Sequence, residues 1–370
     1  MRVLILHASL GSGHVSASAA IESALTKRGA EVRTEDSLEY TNAALRTLVK
    51  TIITKFSQES PALYRKLYEG TDTPDPEAAM RDNELYGRLQ APMYRSLVEL
   101  IEDYKPDRII CAQQLPALVV HALAAQGTVK VPWYIVITDY MAHSSWILSD
   151  VDGYFVAWEG VAEVLESWGV PADTITVSGI PVRPEIEAPK SPEKMRLKHG
   201  IGSDGPVVLA IASGIDVDRF GTVIEQLAAR LDTGAIVVVA GRNDEIQQKL
   251  AELEPQGVEL HRLGFVDYMD DLVAASDLVI SKSGGLITTE VLARGVPLVV
   301  LDPFPGQEEW NADYISGTGA GTQVRVPGMI APTVAHLWSQ PDRLDVMRSR
   351  AKTAARPDAA QLIADVVLSD

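Results

Sequence analysis

Residues 277–290 of the chain read DLVISKSGGLITTE. The aliphatic run at 278–281 has the length and composition of a short strand that is covered on both faces. Two glycines, Gly284 and Gly285, then open a segment that reads as a helix through Glu290. A buried strand, a glycine turn and a helix form the repeating unit of a doubly wound α/β sheet, in which ligands bind at the carboxyl ends of the strands.

The same alternation of short apolar runs and helical segments continues along the whole chain. Strands are predicted at 3–7, 31–34, 108–111, 133–138, 154–157, 207–211, 236–240, 278–281 and 298–301. The alternation breaks once, where Gly179, Pro181 and Pro184 indicate a linker. Because 370 residues exceed the usual size of one domain, we predict an N-terminal domain at 1–184 and a C-terminal domain at 185–350. A final helix at 351–370 is expected to return to the N-terminal domain.

Composition and charge exclude several classes of protein. The chain has 33 Lys and Arg against 50 Asp and Glu, a net charge of −17, which argues against nucleic acid as a partner. The single cysteine, Cys111, excludes a disulfide framework and a Cys-rich zinc site. No apolar run reaches the roughly 18 residues of a membrane span, and the start of the chain lacks the pattern of a signal peptide. A cytoplasmic protein is therefore expected.

The first loop, HASLGSGH at 7–14, follows the first predicted strand and opens a helix. Gly11 and Gly13 let the backbone approach a ligand, and the start of a helix favours an anion. His14 lies at the mouth of this turn, and its ordinary pKa near ~6.5 suits a general base. A histidine that merely caps the helix is the alternative.

Carboxylates at several further positions are candidates for binding. In DPFPGQEEWN at 302–311, Gln307, Glu308 and Glu309 either hold a polyhydroxylated group such as a sugar or simply complement the start of a helix. Glu290 either accepts hydrogen bonds from a ribose or is a solvated helix residue. The Asp-x-Asp pairs at 150–152 and 216–218 have the spacing of a divalent-ion site, but we interpret both as structural, and no metal is expected.

One predicted helix, at 44–56, has an apolar face opposite a basic one. Between residues 41 and 70 the chain has five basic and two acidic residues, a local charge of +3 in a strongly acidic protein. The segment is either an ordinary helix packed on the sheet or a helix that lies on an anionic membrane surface.

Seven stretches together resemble the GT-B glycosyltransferases, in the branch of monogalactosyldiacylglycerol synthases and processive diacylglycerol glucosyltransferases; the peptidoglycan N-acetylglucosaminyltransferase is a more distant relative. They are GSGH at 11–14, ESPALYRKLYEGTD at 59–72, TDYMAHSSW at 138–146, SGIPVRP at 178–184, LGFVDYMDDL at 263–272, SKSGGLITTE at 281–290 and PFPGQEEWNAD at 303–313. The resemblance implies an α/β fold of two Rossmann-like domains facing across a cleft. It also implies an inverting, metal-independent transfer of a hexose from a UDP-sugar to a diacylglycerol-type lipid, without a cofactor, on the inner face of the cell membrane.

The resemblance also implies roles for individual residues. His14 would act as the base, with Asp139 beside it. The acceptor would contact Gly11, Ser12, Gly13, His143 and Trp146. The UDP-sugar would bind Ser213, Gly214, Phe265, Val266, Ser283, Gly284, Gly285, Leu286, Glu290, Gln307, Glu308 and Glu309, with uracil on the backbone of 265–266, the diphosphate at 283–286, ribose on Glu290 and hexose on 307–309.

Two departures from the family pattern affect these expectations. Leu10 and Ser12 stand in glycine-like places of the first loop, and Val15 replaces a common basic residue. The loop at 212–218 contains Asp216 and Asp218 where relatives are glycine-rich, and carboxylates facing a diphosphate would repel it. A UDP-sugar 2-epimerase, a transferase with a non-lipid acceptor and a non-catalytic binder of nucleotide or lipid therefore remain alternatives. The hexose, the processivity and the oligomeric state are left open.

Overall fold

The computed structural model describes residues 1–43, 46, 47, 49, 51, 61–202, 205–255 and 257–369. These residues divide into two compact units. The first comprises Met1–Glu185, Pro305–Gln307 and Arg356–Asp370, and the second comprises Ile186–Phe304 and Glu308–Ala355. The amphipathic helix predicted at 44–56 lies largely outside the described residues, so its position and its surface role stay predictions.

The first unit is built on a parallel six-stranded sheet in the order β2-β1-β3-β4-β5-β6. The strands are β1 (Arg2–His7), β2 (Glu31–Asp36), β3 (Arg108–Cys111), β4 (Trp133–Val136), β5 (Gly153–Val156) and β6 (Ile175–Val177). The helices are α1 (Ser12–Lys27), α2 (Pro61–Thr71), α3 (Pro76–Gln90), α4 (Arg95–Tyr104), α5 (Gln114–Ala125) and α6 (Glu159–Ser167). The central strands β4 and β5 are buried throughout, as their continuous apolar sequences predict.

The end of the chain packs in this first unit. The helix Ala359–Ser369 contributes Ile363, Ala364 and Val367 to the same apolar core as residues of α1. Arg28, at the end of α1, donates to the Asp365 carboxylate at 2.6 Å. The last helix is therefore held by apolar burial and by this surface ion pair.

The second unit repeats the architecture with the order β12-β11-β10-β7-β8-β9, again all parallel. Its strands are β7 (Val207–Ile211), β8 (Ala235–Val239), β9 (Glu259–Leu263), β10 (Leu278–Ser281), β11 (Leu298–Leu301) and β12 (Gly321–Val324). Its helices are α7 (Pro192–His199), α8 (Val217–Ala228), α9 (Asp244–Ala251), α10 (Met269–Ala275), α11 (Gly285–Ala293), α12 (Gln307–Thr318), α13 (Ile330–Trp338) and α14 (Pro341–Ala354). The C-terminal helix Ala359–Ser369 is α15.

The strand order locates a ligand-binding position in each sheet. In the first unit the chain order reverses between β1 and β3, which are direct neighbours. In the second unit it reverses between β7 and β10. The loops that follow two such strands diverge and leave a crevice at their carboxyl ends, where ligands of doubly wound sheets bind.

All nine predicted strands are present; four have the predicted ends, and the ends of the other five differ by one or two residues. Three strands were not predicted, namely β6, β9 and β12. Each lies at the edge of its sheet and is only partly buried, so its sequence lacks a continuous apolar run. The predicted doubly wound α/β architecture is confirmed in both units.

Candidate active site

His14 lies in the first turn of α1, just after β1. Its Nδ1 is 3.0 Å from the carbonyl oxygen of Ala112, which follows β3, and 3.0 Å from the hydroxyl of Thr138, which follows β4. A carbonyl oxygen only accepts hydrogen bonds, so Nδ1 carries the proton and Nε2 keeps a lone pair. The ring bonds to residues that follow two other strands and not to its own helix, so the capping alternative is wrong.

The surroundings of His14 keep its ring neutral. Burial is the largest influence and lowers its pKa below the ordinary value of 6.5, since burial disfavours the charged form. The negative charge of Asp139 and the bond to Ala112 act in the opposite direction, and the nearby His7 lowers the pKa further. A neutral imidazole with a free Nε2 lone pair can accept a proton from a hydroxyl group at neutral pH.

His143 has a different environment in the same unit. Its Nδ1 accepts the N–H of Ser145 at 3.1 Å, so Nε2 carries the proton and donates to the carbonyl oxygen of Tyr68 at 3.0 Å. The ring also lies 4.6 Å from the ring of Tyr68, measured between centroids. His143 is buried, and both ring nitrogens bond within the protein, so in this structure it fastens the loop after β4 to α2.

Further polar contacts hold the loop after β4. The Ser144 N–H donates to the Asp72 carboxylate at 2.9 Å, and the amide of the buried Asn83 donates to the carbonyl of Ser144 at 3.0 Å. Trp146 lies in the hydrophobic core, and its carbonyl accepts the hydroxyl of Tyr154 at 3.0 Å. The acceptor contacts expected of His143 and Trp146 stay predictions, while the structure assigns both residues to the framework of the loop.

The turn at 11–13 is open. Gly11 precedes α1 and no side chain caps the helix there. A Cβ added to Gly11 would meet no atom within 4 Å. The first N–H groups of the helix are therefore accessible to an incoming polar group at this turn.

In the second unit, the turn after β10 is fixed by α12. The buried Ser283 hydroxyl donates to the Glu308 carbonyl at 2.6 Å, and the Asn311 amide donates to the Ser283 carbonyl at 2.9 Å. Gly284 is the N-cap of α11, and no side-chain hydrogen bond caps this helix. The N–H groups of Gly285 and Leu286, in its first turn, are thus available to an anion such as a phosphate.

The carboxylates predicted to bind a ribose and a sugar lie near this turn. Glu290 is only 6% exposed, so the interpretation as a solvated helix residue is wrong. The Glu308 carboxylate accepts the N–H of Phe304, and its other oxygen would lie 3.4 Å from a Cβ on Gly284. The side-chain carbonyl oxygen of Gln307 is buried and has no hydrogen-bond partner within the part of the chain that the structure describes. Glu309 is half-buried.

Two other loops reach the same edge of the second sheet. Ser213 and Gly214 follow β7 and are exposed, and Gly214 has a φ of +63°, a conformation that favours glycine. Phe265 and Val266 follow β9; Phe265 is 63% exposed, and the Arg242 guanidinium lies 4.4 Å from its ring centroid. An exposed aromatic ring at a strand end can offer one face to a planar group.

The acidic residues of the loop at 212–218 are engaged by neighbouring groups. The Asp216 carboxylate accepts the Arg219 N–H at 3.0 Å and caps α8. Asp218 lies 3.6 Å from the Lys249 ammonium group and is highly exposed. Both carboxylates thus have partners within the second unit, and their effect on a bound diphosphate stays a prediction.

In the other Asp-x-Asp pair, Asp152 has a structural role. Asp152 accepts the backbone N–H of Trp133 at 2.9 Å, which joins the starts of β4 and β5. Among the described residues, no group of three or more His, Cys, Asp or Glu side chains is arranged to hold a metal ion.

Comparison with known proteins agrees with this arrangement. Residues 14–182 match the family model of monogalactosyldiacylglycerol (MGDG) synthase, and residues 217–363 match that of the glycosyltransferase family 28 C-terminal domain. The chain is 30% identical over 378 residues to the processive diacylglycerol beta-glucosyltransferase of Bacillus mycoides (strain KBAB4), covering 100% of this chain and 94% of that protein. The chain belongs to the family of MGDG synthases and processive diacylglycerol glucosyltransferases. It is a glycosyltransferase.

Solved structures support the fold of this glycosyltransferase. The MurG of Acinetobacter baumannii superimposes with a TM-score of 0.64 at 16% identity, covering 100% of this chain and 99% of that one. A UDP-GlcNAc 2-epimerase from Neisseria meningitidis, bound to UDP-GlcNAc, gives 0.63 at 18% identity and covers 100% of both chains. These likenesses confirm the predicted GT-B fold.

Several residues that shape the glycosyltransferase site were not predicted from the sequence. Thr138 and the Ala112 carbonyl fix the ring of His14, and Asn311 fixes Ser283. A polar residue directly after a strand is the only sequence signal that could have indicated Thr138. Ala112 acts through its backbone and leaves no such signal.

Every helix within the described residues is too short or too polar to cross a bilayer.

Proposed function

We propose that this glycosyltransferase moves a hexose from a UDP-sugar to the hydroxyl group of a diacylglycerol-type lipid, with inversion at the anomeric carbon and without a metal ion. The observation that carries the proposal is the fixed tautomer of His14, which presents the Nε2 lone pair from the switch point of the first sheet. The family and the name of the Bacillus mycoides relative supply the lipid class and the beta-linked product. A beta-linked product formed from a donor with an alpha-linked sugar requires inversion.

The reaction is a single displacement. His14 Nε2 removes the proton from the acceptor hydroxyl while the hydroxyl oxygen forms a bond to the anomeric carbon. The bond between that carbon and the diphosphate oxygen breaks, and its electron pair leaves with UDP. The imidazolium that forms on His14 is stabilised by the negative charge of Asp139, which favours protonation of this ring.

Each part of the donor would bind to the groups that the family resemblance assigns to it. The diphosphate would accept hydrogen bonds from the uncapped start of α11 at Gly285 and Leu286. The buried Glu290 would hold the ribose, and the unpartnered oxygen of Gln307 would accept a hexose hydroxyl. Glu308 and Glu309, beside it on α12, would bind further hexose hydroxyls. Uracil would bind the backbone of 265–266 next to the exposed ring of Phe265.

A membrane surface is the expected location of the reaction, since the acceptor is a lipid. The described residues include an apolar stripe on α3 and the turn after it, in which Leu85, Tyr86, Leu89 and Met93 are all exposed, Leu89 by 59%. Their spacing puts them on neighbouring parts of one helix surface. Exposed apolar groups of this extent on one element are typical of a surface that inserts into a membrane interface. We propose that this stripe, with the basic segment at 41–70, holds the enzyme on the inner face of the cell membrane.

The test is incubation of the purified protein with a panel of UDP-sugars and vesicles that contain diacylglycerol and anionic phospholipid. We expect release of UDP that depends on diacylglycerol, and a hexosyl-diacylglycerol product in mass spectrometry. Conversion of a UDP-sugar to its epimer without vesicles would indicate a 2-epimerase instead. UDP binding with no turnover would indicate a non-catalytic binder, and turnover with a water-soluble acceptor only would refute the lipid assignment. Activity that persists in excess chelator is expected, and its loss would refute the metal-free mechanism.

A further inference from the structure

Lys282 lies at the switch point of the second sheet, directly after β10 and before the turn that opens α11. Its ammonium group is 3.6 Å from the position of a Cβ on Gly214, in the loop after β7. The same group lies 5.9 Å from the ring centroid of Phe304, in the loop after β11. The side chain therefore reaches across the carboxyl ends of three neighbouring strands, where a doubly wound sheet binds its ligand.

Lys282 differs from the other half-buried lysines and arginines of the described second unit, because it has no carboxylate partner there. Among the described residues of the second unit, five lysines and arginines are half-buried, and four of them have a carboxylate partner. These four are Lys190, Arg196, Arg294 and Arg348. Lys282 is the fifth, and none of the carboxylates in this described part is within salt-bridge distance of it, although the chain has a net charge of −17. A partly desolvated cation is costly unless an anion accompanies it.

Two other cations near this edge have their charge engaged. The Arg219 guanidinium is 3.4 Å from the Asp302 carboxylate, and the Arg242 guanidinium stacks on Phe265. Lys282 is thus the half-buried cation in the described second unit whose charge is available to a ligand. It adjoins the uncapped N–H groups of α11, which favour the same kind of ligand.

We propose that Lys282 binds the diphosphate of the nucleotide-sugar and stabilises the charge that develops on the leaving oxygen. This inference rests on the proposed function and adds a catalytic residue to it. As the bond between the anomeric carbon and the diphosphate oxygen breaks, the electron pair passes to that oxygen and the leaving group gains negative charge. The ammonium group stays protonated and donates a hydrogen bond, so no proton is transferred to UDP. In a mechanism without a metal ion, such a fixed cation supplements the backbone donors at Gly285 and Leu286.

The test compares the affinities of the variant proteins for UDP, UMP and uridine by calorimetry, together with kcat for transfer. Lys282→Gln is expected to weaken UDP binding by about 10- to 100-fold and to leave uridine binding unchanged, because only the diphosphate contact is lost. Its kcat should fall by a further ~10²-fold, since the contact strengthens in the transition state. Lys282→Arg, which keeps the charge, should recover most of the UDP affinity. Lys194→Gln, at an exposed lysine of α7, is the matched control and should bind UDP as the unchanged protein does.

The outcomes separate this inference from the proposed function. If Lys282→Gln lowers the affinities for UDP and uridine equally, or lowers neither, the inference is overturned even where lipid transfer is intact. If the unchanged protein binds UDP with the expected dependence on Lys282 but transfers no hexose to lipid, the proposed function fails while the diphosphate contact is upheld. Unchanged uridine binding by Lys282→Gln also reports that the second unit of the variant is folded.

Discussion

The hydrogen bonds at Nδ1 of His14 make a quantitative prediction about catalysis. The proton on Nδ1 is directed by two oxygens at 3.0 Å, the Ala112 carbonyl and the Thr138 hydroxyl. A substitution cannot remove the backbone carbonyl, but Thr138→Val removes the hydroxyl and keeps the shape of the buried side chain. Thr138→Ser keeps the hydroxyl and is the matched control. The comparison therefore isolates one of the two bonds that orient the ring.

The expected size of the effect follows from the strength of one hydrogen bond. A neutral hydrogen bond contributes about 0.5–1.5 kcal/mol net. At roughly 1.4 kcal/mol for each factor of ten, Thr138→Val should lower kcat/KM by about 2- to 12-fold. His14→Ala removes the base itself and should lower kcat/KM by about 10²–10⁴-fold. Because Thr138 acts through the ring, Thr138→Val should have almost no further effect in the His14→Ala background.

The assay is UDP release with diacylglycerol vesicles at saturating donor, with thermal unfolding of each variant measured in parallel. Thr138→Ser should retain most of the activity. Equal losses in Thr138→Ser and Thr138→Val would show that the hydroxyl does not orient the ring. Near-normal turnover of His14→Ala would refute the assignment of the base, and an additive loss in the double variant would show that Thr138 acts on something else.

Three further predictions concern pH, stability and the membrane. Burial lowers the pKa of His14, and the base works only when neutral, so the acidic limb of the profile of kcat/KM against pH should lie below pH 6.5. The charge of Asp139 raises that pKa, so Asp139→Asn should move the limb to lower pH, and a shift to higher pH would contradict this account. In the second unit, Asp270→Ala breaks the buried ion pair with Arg294, whose Nε lies 2.6 Å from the carboxylate, and should lower the free energy of unfolding by about 3–5 kcal/mol in urea titrations. A loss below 1 kcal/mol would mean that water replaces the pair. Leu89→Glu should reduce flotation with anionic vesicles by more than about tenfold without changing UDP affinity, whereas Leu197→Glu, at an exposed leucine of α7, should not.

The strands that the sequence predicted and those it missed differ in one physical property. Central strands such as β7 and β8 are covered on both faces and carry unbroken aliphatic runs, so the pattern indicates them directly. The missed strands β6, β9 and β12 lie at sheet edges, where side chains remain partly exposed and polar residues are tolerated. The loop with Phe265 follows one of them, and its position at the carboxyl edge therefore became clear only in the fold.

The residues of the candidate site also divide into those that local sequence signals predict and those whose role depends on contacts in the fold. The motif at 281–290 predicted the glycine turn and the start of α11 correctly, because strand, glycine and helix signals are local. His143 and Trp146 stand in an equally specific stretch, yet both are held within the protein: His143 bonds to Tyr68, which is remote in the chain, and Trp146 is buried in the core. A motif therefore indicates that a segment belongs to the functional region, but it does not show which of its side chains face a ligand.

The sequence by itself determined the class of fold and the two glycine turns, since these depend on hydropathy and on backbone preferences that act over a few residues. Tertiary structure decided the proton position on His14, the burial of Glu290 and the isolation of the charge on Lys282. Each of these depends on which atoms lie within a few ångströms in space. Such neighbours come from strands far apart in the chain, and only the folding of the sheets brings them together.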